Sequence, residues 1–69
     1  MKKQELTERQ AETLKFIKDF YKKNGCMPTY AEIAAGMGIN DSVVYVTVKR
    51  IATKGYIQQD RRPRKMKVL

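Results

Sequence analysis

Histidine is absent from this 69-residue chain, and cysteine occurs once, as Cys26. A single cysteine excludes an intramolecular disulfide bond. The missing histidines remove the most frequent zinc ligand and the most frequent acid–base catalyst. No apolar run reaches the roughly 18 residues of a membrane span. Lys2 and Lys3 are followed by polar residues rather than by the apolar stretch of a signal peptide. The sequence therefore predicts a small cytoplasmic protein without metal or cofactor.

Acidic residues are also scarce. Seven Asp and Glu stand against fifteen Lys and Arg, which gives a formal net charge of +8. The excess is concentrated in residues 51–69, where six basic residues accompany one acidic residue, Asp60. A basic domain of this size predicts a polyanionic partner, with nucleic acid first and an anionic membrane surface second.

Two capping boxes mark the starts of two helices. In Thr7-Glu8-Arg9-Gln10 and in Thr29-Tyr30-Ala31-Glu32 a threonine is followed three residues later by Gln or Glu, so that each side chain can satisfy the other's backbone N–H. Asn24-Gly25 is a typical end for the first helix. We expect Gly36 and Gly38 to end the short second helix.

A third helix is predicted from the cluster Asn40-Asp41-Ser42, any of which can act as its cap. Lys54-Gly55 is expected to end it. Apolar residues at helical spacing predict its buried stripe, which comprises Val44, Val48, Ile51 and Ala52. An aromatic cluster in the first helix is also assigned to the core, and it comprises Phe16, Phe20 and Tyr21.

The C-terminal residues alternate between apolar and polar types. Residues 56–59 and 65–69 have period two, and the turn-prone segment 60–64 separates them, so a β-hairpin is expected. Between the second and third helices, Ala34 and Gly38 have the size and conformational freedom that a helix-turn-helix requires. The predicted fold is α+β, mostly α: one domain over residues 1–69, a three-helix winged helix-turn-helix with a C-terminal β-hairpin wing.

Three segments in this order resemble the N-terminal winged-helix DNA-binding domain of the SOS repressor LexA. They are Leu6-Thr7-Glu8-Arg9-Gln10, Gly25-Cys26-Met27-Pro28-Thr29-Tyr30-Ala31-Glu32-Ile33-Ala34 and Lys54-Gly55-Tyr56-Ile57. The resemblance covers essentially the whole chain and implies sequence-specific DNA binding by a transcriptional regulator, most simply a repressor. LexA-type repressors continue into a self-cleaving peptidase domain that also mediates dimerisation. That domain is not among these residues, so self-cleavage is not expected of them.

The third helix departs from the family at the residues that would face DNA. Its approach is one residue shorter than in LexA. Ser42, Val43, Tyr45 and Val46 fall where LexA-like proteins carry an Asn, an Ala and two Glu. The resemblance therefore implies the DNA-binding machinery but not the SOS operator sequence.

The candidate DNA contacts come from the second helix start, the third helix and the wing. They are Thr29, Asn40, Ser42, Val43, Tyr45, Val46, Lys49, Arg50, Arg61, Arg62, Arg64 and Lys65. The outward valines suit thymine methyl groups, and Ser42 and Tyr45 suit hydrogen bonds to base edges or phosphates. The wing cations suit phosphates or a minor groove.

Double-stranded DNA is the expected partner, with a second copy on a two-fold operator or a protein as further partners. An alternative is a winged-helix protein-interaction module that modulates a DNA-bound partner, since Val43, Tyr45 and Val46 would also suit a protein surface. No catalytic residues are expected, because the acidic residues form no motif and a domain this small offers little pocket. Neither a small-molecule substrate nor a membrane partner is expected.

Overall fold

The computed structural model describes residues 5–59 and 66–69. It contains three helices, α1 (Glu8–Asn24), α2 (Tyr30–Met37) and α3 (Asp41–Thr53), followed by strands β1 (Ile57–Gln58) and β2 (Lys67–Val68). The two strands pair antiparallel, with Ile57 opposite Val68 and Gln58 opposite Lys67. This architecture confirms the predicted mostly helical winged helix-turn-helix fold.

Both predicted capping boxes are formed. The Thr7 hydroxyl accepts from the Gln10 backbone N–H at 3.2 Å, and the Gln10 Oε1 accepts from the Thr7 N–H at 3.1 Å. The same reciprocal pair joins Thr29 and Glu32, at 3.1 and 2.8 Å. Each box satisfies backbone donors that a helix start otherwise leaves without an intrahelical partner.

The turn between α2 and α3 depends on Gly38. This residue has φ of 69°, in the left-handed region, and follows the last residue of α2. The Ile39 N–H then donates to the Ala34 carbonyl oxygen at 3.0 Å, which closes the turn. A glycine adopts this conformation without the steric cost that a Cβ would impose.

The prediction that Gly36 also ends α2 is wrong. Gly36 lies inside the helix, one residue before its last position. The Phe16 ring of α1 packs against it so closely that a Cβ built on Gly36 would collide with the ring. Gly36 therefore serves close contact between α1 and α2 rather than termination.

The core lies where the three helices and the strand pair meet. Among the described residues, its buried hydrophobic side chains are Leu14, Ile17, Met27, Ile33, Ala34, Val44, Val48, Ile51, Ile57 and Met66. The α3 stripe is confirmed at Val44, Val48 and Ile51, while Ala52 is half-buried against the same cluster. Thr13 and Thr47 are also buried, and their hydroxyls donate to backbone carbonyls one turn earlier, at 2.9 and 2.7 Å.

The aromatic cluster of α1 is only partly in the core. Phe16 and Phe20 are half-buried with ring centroids 6.2 Å apart. Tyr21, by contrast, is 54% exposed, so its assignment to the core is wrong. Tyr21 lies in the last turn of α1, where its side chain lines an open groove together with Met27, Met66 and Val68. A polar hydroxyl makes this exposure tolerable for a tyrosine.

The strand pair is shorter than predicted at both ends. Residues 57–58 and 67–68 are strand, whereas the alternation predicted 56–59 and 65–69. One further bond extends the pairing, from the Leu69 N–H to the Tyr56 carbonyl oxygen at 2.9 Å. The predicted turn of the wing, residues 60–64, and the following residue Lys65 lie outside the described residues.

Lys54 links the end of α3 to the start of α1. Its Nζ donates to the Glu5 carbonyl oxygen at 2.9 Å and to the Gln10 Oε1 at 2.6 Å. Gln10 is buried and already accepts from Thr7 within its capping box. The charge-assisted bond therefore joins a helix cap to a residue 44 positions away in sequence.

Candidate nucleic-acid interface

The two faces of α3 differ sharply in exposure. Val44, Val48 and Ile51 are fully buried. Tyr45 and Val46, which follow Val44 directly, are 47% and 46% exposed. The remaining predicted contacts on this helix are exposed at Ser42, Lys49 and Arg50, and Val43 is half-buried at the edge. One face of α3 thus anchors the helix, and the other presents apolar, hydroxyl and cationic side chains to solvent.

Asn40 occupies the N-cap position of α3. Its backbone carbonyl accepts from the Val44 N–H at 3.1 Å, but its side chain forms no cap hydrogen bond. The side chain is exposed at the end of α3 that, in helix-turn-helix proteins, approaches base edges. An amide with both donors and an acceptor is suited to a base edge or a phosphate.

Thr29 is half-buried at the start of α2, where its hydroxyl oxygen accepts from the Glu32 N–H. The hydroxyl proton remains able to donate to an outside acceptor. The N-terminus of the eight-residue helix α2, which carries the positive end of the helix dipole, lies at the same place. Its structural role in the cap is therefore compatible with a phosphate contact.

Sequence reasoning did not assign two further side chains to this surface: Tyr30, which contacts Tyr45, and Gln59, which contacts Tyr30. The Tyr30 ring meets the Tyr45 ring edge to face, with centroids 5.8 Å apart and planes at 80°. The Tyr30 hydroxyl accepts from the Gln59 Nε2 at 2.9 Å. The only sequence signal for this contact was an aromatic residue at the first position of a capped helix.

The predicted wing contacts at Arg61, Arg62, Arg64 and Lys65 lie outside the described residues. Their flanking residues are described: Gln59 on one side, and Met66 and Lys67 on the other. Met66 is buried in the core, and Lys67 is exposed and paired with Gln58 through β2. The strand pair thus joins both ends of the basic segment to the helical core.

The described part of the chain contains neither a cluster of metal ligands nor a membrane-spanning helix. Within residues 5–59 and 66–69, no three His, Cys, Asp or Glu side chains come together as metal ligands would. Among the helices of those same residues, none is long and apolar enough to cross a bilayer.

Residues 3–65 match the family described as the LexA DNA binding domain. The LexA repressor of Shouchella clausii is 41% identical over 66 residues, which is 93% of this chain and 32% of that protein. The LexA repressors of Pelotomaculum thermopropionicum and Caldicellulosiruptor saccharolyticus are 37% and 39% identical, over 96% and 100% of this chain. The chain spans about a third of the length of these relatives. The chain therefore belongs to the LexA DNA-binding domain family.

Proposed function

We propose that this chain is the DNA-binding head of a LexA-type transcriptional repressor and recognises a specific duplex sequence. The observation that carries the proposal is the two-faced α3, whose exposed side carries apolar, hydroxyl and cationic side chains while its buried side is fixed in the core. Helices in this position of a helix-turn-helix enter the major groove. Because the proposed target is duplex DNA and the matched relatives are bacterial, we further propose that the chain acts in the cytoplasm.

Each class of side chain has a role in this arrangement. Val43 and Val46 contact thymine methyl groups, and Ser42, Tyr45 and Asn40 hydrogen-bond to base edges or nearby phosphates. Lys49 and Arg50, in the following turns of α3, neutralise backbone phosphates. Thr29 adds a phosphate contact at the start of α2. The basic residues 61–65 contact phosphates or enter the minor groove.

We further propose that residues 1–69 fold and bind as one domain that performs no catalysis. Support comes from one hydrophobic cluster to which all three helices, β1 and Met66 contribute. The family match concerns DNA binding alone. A selection of bound sequences from random duplex DNA, at one defined salt concentration, tests the central proposal. We expect one enriched sequence motif, and recovery of unenriched DNA would contradict the proposal.

The affinity of the domain for duplex DNA is expected to fall steeply with salt. Its net charge of +8 must act largely through phosphate neutralisation, which releases condensed counterions. A plot of log affinity against log salt should be linear, with a slope of about −0.9 for each neutralised phosphate. Fluorescence anisotropy between low and physiological salt measures this slope. Tight binding that does not respond to salt, or no binding at low salt, would contradict the prediction.

In free solution the chain is expected to be a monomer that pairs with a second copy on DNA. A two-fold operator requires two heads, yet the exposed apolar residues of α3 are too few for a stable dimer interface, which buries roughly 1,200 Å² or more. Sedimentation velocity at micromolar concentration should show one 8.0 kDa species. The same measurement with a two-fold duplex should show two chains per duplex, and a stable dimer without DNA would refute this prediction.

A second candidate function keeps the same fold but changes the partner. The exposed Tyr45 and Val46 would also suit a protein surface, because aromatic residues are enriched in the buried centres of interfaces. In that case α3 would bind a DNA-bound regulator rather than bases. Alanine substitutions at Ser42, Val43, Tyr45 and Val46 separate the two candidates.

A further inference from the structure

Tyr30 contacts two other elements of the fold at once. Its ring packs edge to face on Tyr45 of α3, and its hydroxyl accepts a hydrogen bond from Gln59 just after β1. Tyr30 itself is the first residue of α2, directly after the Thr29 cap. Three elements that are distant in sequence are therefore joined at one aromatic side chain, next to the exposed face of α3.

Tyr45 needs such a contact if it is to read a base. It is 47% exposed, and an exposed tyrosine on a helix can populate more than one χ1 well. Discrimination between bases requires a phenol hydroxyl held in one direction, since hydrogen bonds weaken steeply with misalignment. The edge-to-face contact restrains the Tyr45 ring before DNA is bound, which lowers the entropic cost of ordering it.

Gln59 in turn restrains Tyr30. The Gln59 amide donates a hydrogen bond to the Tyr30 phenol oxygen at 2.9 Å, so rotation of the Tyr30 ring away from Tyr45 would break this bond. Both Tyr30 and Gln59 are half-buried, so this bond is partly shielded from competing water. The restraint thus passes from the end of β1 through α2 to the exposed face of α3.

We propose that Tyr30 is a positioning residue for sequence recognition, which holds Tyr45 in its base-reading orientation and is itself held by Gln59. The inference rests on the proposed function, in which α3 reads the DNA sequence. It assigns Tyr30 no direct base contact. It predicts that the effect of Tyr30 on sequence preference requires Tyr45.

The test compares four proteins on two duplexes at one salt concentration: the wild-type chain, Tyr30→Leu, Tyr45→Ala and the double variant. One duplex is the best selected site, and the other has the same composition in scrambled order. Tyr30→Leu should weaken binding to the best site about two- to tenfold, the range of an aromatic pair contact, and leave the scrambled duplex unchanged. In the Tyr45→Ala background, Tyr30→Leu should have almost no further effect.

Two further variants separate the ring contact from the hydrogen bond. Tyr30→Phe keeps the ring and loses the hydroxyl, so it should lose less affinity than Tyr30→Leu. Gln59→Met should match Tyr30→Phe, and combining the two should add nothing. A second measurement needs no DNA, because an adjacent aromatic ring changes the NMR chemical shifts of nearby protons. The ring-proton shifts of Tyr45 should differ from those of the wild-type chain in Tyr30→Leu and stay close to them in Tyr30→Phe.

Each outcome decides one of the two proposals. Equal loss on both duplexes would show a general structural role and overturn the positioning role. So would the same loss from Tyr30→Leu with and without Tyr45, which would indicate a direct contact by Tyr30. A wild-type chain that prefers no sequence would instead overturn the proposed function, and the inference with it. A wild-type preference that Tyr30→Leu leaves intact would overturn the inference alone.

Discussion

Replacing Ile51 by alanine is expected to remove most of the free energy of unfolding of this domain. Ile51 is 0% exposed and lies on the buried stripe of α3, within the cluster that all three helices share. Truncating a buried isoleucine to alanine costs about 2–5 kcal/mol, through lost transfer energy and the cavity left behind. A domain of 69 residues has a total stability of roughly 3–10 kcal/mol. One substitution can therefore unfold much of the population at 37 °C.

Urea unfolding monitored by circular dichroism measures this loss of stability, and two further variants calibrate it. Ile51→Val removes one methylene group and should cost about 0.5–1.5 kcal/mol, which keeps the effect measurable if Ile51→Ala does not fold. Val46→Ala, on the exposed face of the same helix, should change stability by less than about 0.5 kcal/mol. A destabilisation by Ile51→Ala no larger than that of Val46→Ala would contradict the packing of α3.

The helix starts could be predicted from sequence because their causes are local. Each capping box involves side chains three residues apart, and both formed as the residues indicate. The left-handed turn at Gly38 is equally local, since it depends on the absence of a Cβ at one residue. The buried stripe of α3 follows from helical periodicity, which also correctly directs Tyr45 and Val46 outward.

Tyr21 and Gly36 show where local reasoning fails. Periodicity places Tyr21 on the apolar side of α1, but it cannot say how far the neighbouring elements extend along that helix. With 17 residues, α1 is about 26 Å long, whereas the eight-residue α2 is about 12 Å long and cannot cover all of it. Gly36 suggests termination locally, yet its role is set by the Phe16 ring from another helix.

The surface that we propose contacts DNA was predictable only in part, because only some of its features have local causes. Its α3 residues follow from periodicity, while the contacts of Tyr30 with Tyr45 and Gln59 exist only after the chain has folded. The hydrogen bond joins residues 29 positions apart, and no spacing rule connects them. The side chains at Ser42, Val43, Tyr45 and Val46 differ from those that the LexA resemblance implies, so the preferred DNA sequence of this chain must be measured.

Alanine substitutions on α3 are expected to change which DNA sequence the domain prefers. Base contacts specify a sequence, whereas phosphate contacts position the protein and add affinity to all sequences. Replacing Ser42, Val43, Tyr45 or Val46 should cost about 1–3 kcal/mol on the best site and little on non-specific DNA. Repeating the selection from random DNA with each variant measures the changed preference. Val46→Ala gives the clearest test among these variants, because it is expected to be as stable as the wild-type chain.

Substitutions in the basic segment are expected to behave differently. Arg61→Ala, Arg62→Ala or Arg64→Ala should weaken all sequences alike and lower the magnitude of the salt slope by about one for each lost phosphate contact. An arginine that enters a minor groove would be an exception. Its substitution should reduce DNA affinity by an amount that depends on the DNA sequence, because the width of the minor groove depends on sequence. Lys22→Ala, in the last turn of α1, removes the same charge outside the proposed contact surface and should leave the slope unchanged.

The pattern across both sets of variants decides between DNA and a protein as the partner of α3. If α3 binds a protein, its alanine variants will retain full DNA affinity and preference, and a purified DNA-bound partner will no longer associate with them. If α3 reads DNA, preference changes only with the α3 variants, and the salt slope falls only with the arginine variants. A uniform loss of affinity in both sets would show that α3 does not read the sequence, and would remove Ser42, Val43, Tyr45 and Val46 from the specificity-determining surface.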